Sequence, residues 1–146
     1  MRGGTVETIA IIIGMQKDFD GWNSKKKTVH ASNVAPLFHE REIWFCSLGV
    51  NVGFEQDGTG LNFDRPILIL RGFNKNTFLA VAIVGKKKEG DFYISIGSIT
   101  GREASANLSQ VRLIDSKRLV KKIAMLDKTT FSKLKEKLRY VLFSEK

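Results

Sequence analysis

The residues best suited to chemistry on an anion stand at the start of an apolar segment. Arg65 and Pro66 follow a glycine-rich stretch, Val50–Asp64, and lead directly into Ile67–Leu70. We predict that the stretch is a long flexible loop and that the apolar segment is a strand. An arginine at this point would be fixed at its base and free at its guanidinium, which suits holding a phosphate through two parallel hydrogen bonds. Arg65 is therefore a candidate phosphate ligand, although such an arginine is more often an ordinary surface residue.

Other kinds of reactive centre find little support. Cys46 is the only cysteine, which excludes an internal disulfide and a multi-cysteine metal site, and its apolar run Ile43–Leu48 favours a buried thiol over a nucleophile. His30 and His39 lack the spacing of metal ligands. Patterns for a phosphate-binding P-loop, a paired-histidine zinc site and a serine triad are missing, and the glycine-rich stretch precedes a strand instead of a helix. We predict no metal and no cofactor.

The charge of the chain indicates an anionic partner. The 146 residues carry 24 Lys and Arg against 15 Asp and Glu, a net charge of +9, and residues 117–146 alone hold ten of these cations and three acids. Nucleic acid, either RNA or DNA, is the commonest partner of such a chain. The longest apolar run, Phe78–Val84, is too short to span a membrane, and Ile9–Ile13 makes a weak signal peptide. We expect a cytoplasmic protein without a membrane partner.

Two regions must position these residues. Residues 1–40 read as an extension with a short helix, closed by Pro36, and Met15 is plausible as an alternative start, with residues 1–14 as an appendage. Residues 41–146 read as the main domain, with five short strands separated by turn residues, which predicts a small barrel. The predicted strands are Glu42–Leu48, Ile67–Leu70, Phe78–Val84, a segment that alternates at Phe92, Ile94 and Ile96, and Ala104–Ile114.

The C-terminal segment predicts a helix. Asp127 is a suitable N-cap, and Leu126 can pack against Phe131 across the first turn. An apolar stripe follows at helical spacing, and we expect it to cover an open end of the barrel. The members of the stripe are Phe131, Leu134, Leu138, Val141 and Leu142.

Two blocks of sequence resemble the MazF/PemK-like toxin family. The first comprises Glu42-Ile43-Trp44, then Gly53-Phe54-Glu55-Gln56-Asp57-Gly58, then Arg65-Pro66-Ile67-Leu68-Ile69. The second comprises Leu108-Ser109-Gln110-Val111-Arg112-Leu113-Ile114-Asp115, followed by Lys117-Arg118-Leu119 and Ile123. The resemblance covers about residues 41–145. It implies a mainly β, SH3-like small barrel, a homodimer, metal-independent endoribonuclease activity on single-stranded RNA, and an antitoxin protein that occupies the RNA groove.

The resemblance also implies a mechanism and its residues. In the family, a ribose 2′-hydroxyl attacks the adjacent phosphate, and the arginine of the Arg-Pro pair, here Arg65, stabilises the charge that develops. A threonine at the end of the third strand assists it, and in this sequence Val84 stands at that position without a hydroxyl. Losing one such donor commonly slows a reaction by about 10²–10³. The chain is then a slow nuclease, a nuclease rescued by Lys86, Lys87 and Lys88, or a catalytically silent barrel that binds RNA or an antitoxin peptide.

The remaining RNA contacts are expected from the same blocks. Glu55 and Gln56 lie in the first, and Gln110 and Arg112 lie in the second, where the family places RNA or dimer contacts. Arg112 has the alternative of an ion pair with Asp115 or Glu103. Three aromatic residues are equally suited to stacking on unpaired bases or to a place in the core. They are Phe54, Phe73 and Tyr93.

Overall fold

The computed structural model describes residues 16–145. Two helices and six strands occur in these residues. In chain order they are α1 (Phe19–Ala31), β1 (Glu42–Ser47), β2 (Asp64–Gly72), β3 (Thr77–Val84), β4 (Tyr93–Ile99), β5 (Arg102–Asp115), a 3-10 turn (Ser116–Arg118), β6 (Leu119–Met125) and α2 (Lys128–Phe143). The predicted appendage, residues 1–14, lies outside the described residues. None of the described helices is both long enough and apolar enough to cross a membrane.

The strands form one curled antiparallel sheet in the order β4-β5-β3-β2-β1-β6. The long strand β5 pairs with two neighbours. Its first half pairs with β4, and its residues from Ser105 to Asp115 pair with β3. Pairing with β3 is irregular between Val81 and Ala82, and such irregularities bend a sheet and increase its twist. The predicted fold class, a mainly β SH3-like barrel with an N-terminal and a C-terminal helix, is confirmed.

The prediction of five strands was wrong because β6 was missed. This strand pairs with β1 along an edge of the sheet, and two register shifts interrupt the pairing. Such shifts disturb the alternation of inward and outward side chains, so β6 shows no period of two: Val120, Lys121 and Lys122 are all exposed. Lysines on an edge strand also discourage pairing with another chain.

Helix α2 covers one face of the sheet. Asp127 caps it by accepting a hydrogen bond from the Thr130 amide at 2.9 Å, and Leu126 and Phe131 are both buried, as predicted. Its buried residues Phe131, Leu134 and Leu138 join a core with strand residues such as Leu68, Val81 and Leu108. The predicted stripe ends early, since Val141 is only partly buried and Leu142 is 45% exposed.

The opposite face of the sheet holds a second apolar cluster. It contains Trp44, Cys46, Leu48, Ile67, Ile69, Phe78, Ala80, Ile114 and Leu119. Phe38, from the segment before β1, packs on this cluster with its ring 4.7 Å from that of Phe78. Burial raises the pKa of the Cys46 thiol to about 12. The prediction of a buried thiol is confirmed.

Helix α1 is docked through a single buried side chain. Asp18 caps the helix by accepting from the Gly21 amide, and Trp22 is its only buried residue. The Trp22 ring lies 5.6 Å from that of Phe63 and directly against Gly49. A Cβ atom at Gly49 would come within 2.1 Å of the indole, and the φ of Gly49 is +78°. Glycine is therefore needed at this position for two reasons, space and backbone conformation.

Candidate functional site

Arg65 lies near the start of β2 with its side chain half-buried. Because side chains alternate along a strand, Arg65 points to the same face as Ile67 and Ile69, the face opposite α2. Its Nε donates to the Asp57 carbonyl at 2.7 Å, and its Nη1 lies 3.5 Å from the Ile83 carbonyl oxygen. With the Gln56 side-chain oxygen turned toward it, Nε and Nη2 also donate there at 3.1 Å.

The expectation of a free guanidinium was therefore only partly right. The contacts occupy three of the five N–H groups, which leaves two to bind an anion. Burial lowers the pKa of Arg65, with a smaller opposing effect from Asp57. The ordinary pKa is so far above neutrality that the group keeps its charge. Arg65 is thus a positive donor whose direction is set by the protein.

Hydrogen bonds hold the first half of the predicted flexible loop in a defined conformation. The Asp57 carboxylate accepts from the Asn51 amide at 2.6 Å, and the Asn51 side chain donates to the carbonyl of Gln56 at 2.8 Å. Glu55 accepts from the Val52 amide at 2.9 Å. These local hydrogen bonds fold the segment from Asn51 to Asp57 on itself. The sequence indicated flexibility from its glycines, but the Asn and Asp side chains determine the structure.

Lys17 holds this loop from outside the barrel. Its ammonium donates to the Asn51 carbonyl at 2.6 Å and to the Gly53 carbonyl at 2.8 Å, and it lies 2.9 Å from the Asp57 carboxylate. An ammonium has three N–H groups, so each has a partner. Asp57 links Lys17 to Arg65, since its side chain contacts the first and its carbonyl the second. No sequence pattern pointed to Lys17, because this residue precedes the resembling blocks.

Gln110 and Arg112 of β5 lie beside the loop. The Gln110 amide group accepts from the Gln56 backbone N–H at 2.9 Å and donates to the Phe54 carbonyl at 3.2 Å. Arg112 pairs with Ala80 in the sheet and is half-buried. Within the described part of the chain it forms neither of the ion pairs considered above.

Gln110 and Arg112 line a cavity of about 350 Å³, whose lining does not include Arg65 or Val84. Its floor is apolar and includes Leu48, Ile67 and Ala80, whereas Gln56 and Arg112 supply polar groups. Exposed Glu55 also lines it. A concave site with an apolar floor and a few convergent polar groups is the usual form of a binding site.

Val84 follows Ile83, whose carbonyl oxygen lies 3.5 Å from Nη1 of Arg65. In the pairing of β2 with β3, Ile67 lies opposite Ala82. Continuing this register by two residues places Arg65 opposite Val84, and such partners share a face with Cβ atoms about 5 Å apart. The nearest hydroxyl in the register is that of Ser105, which pairs with Val84 from β5, but Ser105 is fully buried and accepts from the Lys88 amide.

The lysines at 86–88 and the aromatic candidates lie at the surface. Lys86 and Lys87 are exposed, and the Lys88 ammonium lies 5.0 Å from the centre of the half-buried Tyr93 ring. Phe54 is 97% exposed and Phe73 is 55% exposed, so neither belongs to the core. No three His, Cys, Asp or Glu side chains of residues 16–145 cluster as metal ligands would.

Several solved structures have a similar fold. The MazF of Deinococcus radiodurans has a TM-score of 0.61 at 18% identity, over 73% of this chain and 97% of that one. A MazE-MazF complex from the same organism has a TM-score of 0.56 at 15% identity, over 73% of this chain and 96% of that one. A mycobacterial endoribonuclease in complex with its cognate antitoxin has a TM-score of 0.53 at 15% identity, over 74% of this chain and 95% of that one. At these identities the likeness shows the fold alone.

The search of curated proteins finds no significant match. The family model for the "PemK-like, MazF-like toxin of type II toxin-antitoxin system" matches residues 39–142. This match spans all six strands and most of α2, and it includes Arg65, Val84, Gln110 and Arg112. The chain belongs to the PemK-like, MazF-like toxin family.

Proposed function

We propose that the protein is an endoribonuclease that cuts single-stranded RNA without a metal ion, with Arg65 as the principal phosphate ligand. The observation that carries the proposal is the held guanidinium, which Asp57, Gln56 and the Ile83 carbonyl position with two N–H groups to spare. A preorganised cationic donor is worth most where negative charge grows in a transition state. Family membership supports the reaction class.

The reaction needs no covalent contribution from the protein. The ribose 2′-oxygen bonds to phosphorus, the bond from phosphorus to the 5′-oxygen breaks, and a proton passes overall from the 2′- to the 5′-oxygen. The products are a 2′,3′-cyclic phosphate and a 5′-hydroxyl. Arg65 would neutralise the extra charge on the phosphorane oxygens. Val84 adds no donor, so we expect a slow enzyme, about 10²–10³ below one with a hydroxyl there.

The RNA would lie across the loop and β5. We propose that Gln56, Gln110 and Arg112 contact it at the cavity and that Glu55 accepts hydrogen bonds from base edges. Lys86, Lys87 and Lys88 would neutralise phosphates near Val84, and exposed Phe54 is placed to stack on an unpaired base.

The assembly of the protein is proposed by analogy with its relatives. We propose a homodimer, an antitoxin partner that covers the RNA-binding face, and a cytoplasmic location. The MazE-MazF structures support the second of these. Residues 41–146 would form the RNA-handling domain and residues 1–40 its extension.

A second function has a specific observation in its favour. The site lacks the hydroxyl at Val84, and three N–H groups of Arg65 are already engaged by the protein. A barrel that binds RNA or an antitoxin peptide without cutting would have the same features.

A cleavage assay separates the two functions. The purified full-length protein is incubated with a long unstructured RNA in EDTA, and the fragment ends are identified by mass spectrometry. We expect cyclic phosphate ends, lost in Arg65→Ala and retained in Arg71→Ala, which removes an exposed arginine of the same strand. If EDTA abolishes cutting and magnesium restores it, the mechanism is wrong. Binding without cutting would establish the silent alternative.

A further inference from the structure

A second cavity, of about 440 Å³, lies between α1 and the 3-10 turn before β6. We call it the extension cleft. Its lining includes Trp22, Lys26, Lys27, His30, Lys117 and Arg118. The only acid among its lining residues is Asp115, whose carboxylate is already engaged by the Lys117 backbone amide at 2.9 Å. The cleft is therefore strongly cationic.

Two of the three lysines of α1, Lys26 and Lys27, are exposed and line the cleft. Lys26 follows Trp22 by four residues, one turn of helix, and therefore lies on the side that faces the barrel. Lys27 also lines the cleft, whereas Lys25 points elsewhere, with its ammonium 3.4 Å from the Asn62 side-chain oxygen. Lys26 and Lys27 form no ion pair with any described residue.

The other wall of the cleft is rigidly placed. The Lys117 ammonium donates to the His30 carbonyl at 2.9 Å, which joins the 3-10 turn to the end of α1. Arg118 donates to the Ser47 carbonyl at 3.1 Å, and its guanidinium lies 5.5 Å from the centre of the Trp22 ring. The cleft is thus built by contacts between the extension and the barrel.

The cleft lies close to the candidate site, although the two cavities share no lining residue. Cys46 of β1 pairs with Arg65 on one side and with Leu119, the neighbour of Arg118, on the other. Two strand spacings amount to roughly 10 Å between the backbones of Arg65 and Leu119. Arg112 lies near enough to Arg118 to reinforce the lowering of its pKa by burial. A cation of the candidate site, Arg112, and a cation of the cleft, Arg118, are therefore close to each other.

We propose that the extension cleft binds the phosphate backbone of the RNA strand beyond the nucleotides held at Arg65. This inference rests on the proposed function and adds a second part to its substrate site. Lysines contact phosphates as point charges without reading sequence, which suits a flanking site. An acidic peptide fits less well, because Trp22 is only 7% exposed and offers no open pocket for an apolar anchor.

The test measures RNA affinity as a function of length and salt. The RNA carries 2′-O-methyl groups, which prevent cleavage, and is either about 4 or about 15 nucleotides long, the span of single-strand binding sites. The variant is Lys26→Gln/Lys27→Gln in the full-length protein. The matched control is Lys133→Gln/Arg139→Gln, which removes two exposed cations from α2 on the other face of the sheet. Thermal melting checks that both variants fold.

We expect the cleft variant to weaken binding of the longer RNA only. Each lost phosphate contact on a single strand reduces the slope of log K against log salt by about 0.7, so two lost contacts reduce the slope by about 1.4. At 0.1 M salt this change corresponds to a loss of affinity of roughly 25-fold. The control variant should leave this slope unchanged.

Three results would overturn the inference, each in a different way. If the cleft variant and the control behave alike while Arg65→Ala abolishes cleavage, the cleft is not part of the site and the proposed function stands. If the unmodified protein binds neither RNA, the proposed function itself fails. If a poly-glutamate peptide binds as tightly as the longer RNA and only the cleft variant loses it, the cleft serves an acidic protein segment instead.

Discussion

Replacing Lys17 by methionine should loosen the loop that positions Arg65. Methionine keeps most of the side-chain volume but removes the ammonium that contacts Asn51, Gly53 and Asp57. Each lost carbonyl contact costs about 1 kcal/mol. The ion pair with Asp57 adds less, because both side chains are partly exposed, at 21% and 26%. The total is about 2 kcal/mol, which raises the opening equilibrium of the loop about 30-fold.

Hydrogen exchange is the direct assay of this loosening. The amide N–H groups of Asn51, Val52 and Glu55 do not donate to water while the loop is closed, because each donates within it. Their protection should fall about 30-fold in Lys17→Met, in proportion to loop opening. Cleavage should fall less, since it responds only once the open loop becomes the populated state.

The control for this experiment is Lys25→Met. Lys25 belongs to the same extension and reaches Asn62 of the same loop, but only through one 3.4 Å contact. Its loss should leave the three amides protected. Equal exchange in the two variants would refute the view that Lys17 holds the loop, whatever the effect on RNA cleavage.

Three further predictions concern other residues. Val84→Thr should raise cleavage about ten- to a thousandfold, measured from initial rates, and Arg65→Ala should abolish it in both backgrounds; a Val84→Thr protein that folds but cuts no faster would contradict the assigned role of this position. Cys46, with its pKa near 12, should resist a thiol reagent at pH 8, where about one thiol in 10⁴ is ionised, and should react once urea unfolds the chain. A chain that starts at Met15 keeps Lys17 and α1, so its Tm should remain within about 4 °C; a larger loss would show that residues 1–14 add to the core.

Local patterns predicted most of the barrel. The apolar runs of β1, β2 and β3 and the capped start of α2 depend on neighbouring residues, and the structure has them where the sequence placed them. Strand β6 escaped because its register shifts disturb the alternation that identifies a strand. An edge strand with lysines at its centre looks like a loop when only composition is considered.

The candidate site was less predictable than the fold. The sequence identified Arg65 and Val84 through the family blocks, but the engaged state of the guanidinium depends on where the Asp57 and Ile83 carbonyls lie. Lys17 could not have been found, because 36 residues separate it from Gly53 and no periodicity links them. Contacts of this kind arise from the path of the chain in three dimensions.

The contact between Trp22 and Gly49 has a consequence for how sequences of this kind can diverge. An indole at 22 and a side chain at 49 exclude each other, so neither position can vary independently while α1 stays docked. The docking of α1 therefore constrains a barrel residue, Gly49, that has no proposed contact with RNA. Gly49 also donates to the Phe63 carbonyl, near the end of the loop, and accepts from the Gly58 amide, in its middle. A relative that has lost this helix would be free of the glycine's steric constraint, and a relative that keeps both residues inherits the extension cleft with them.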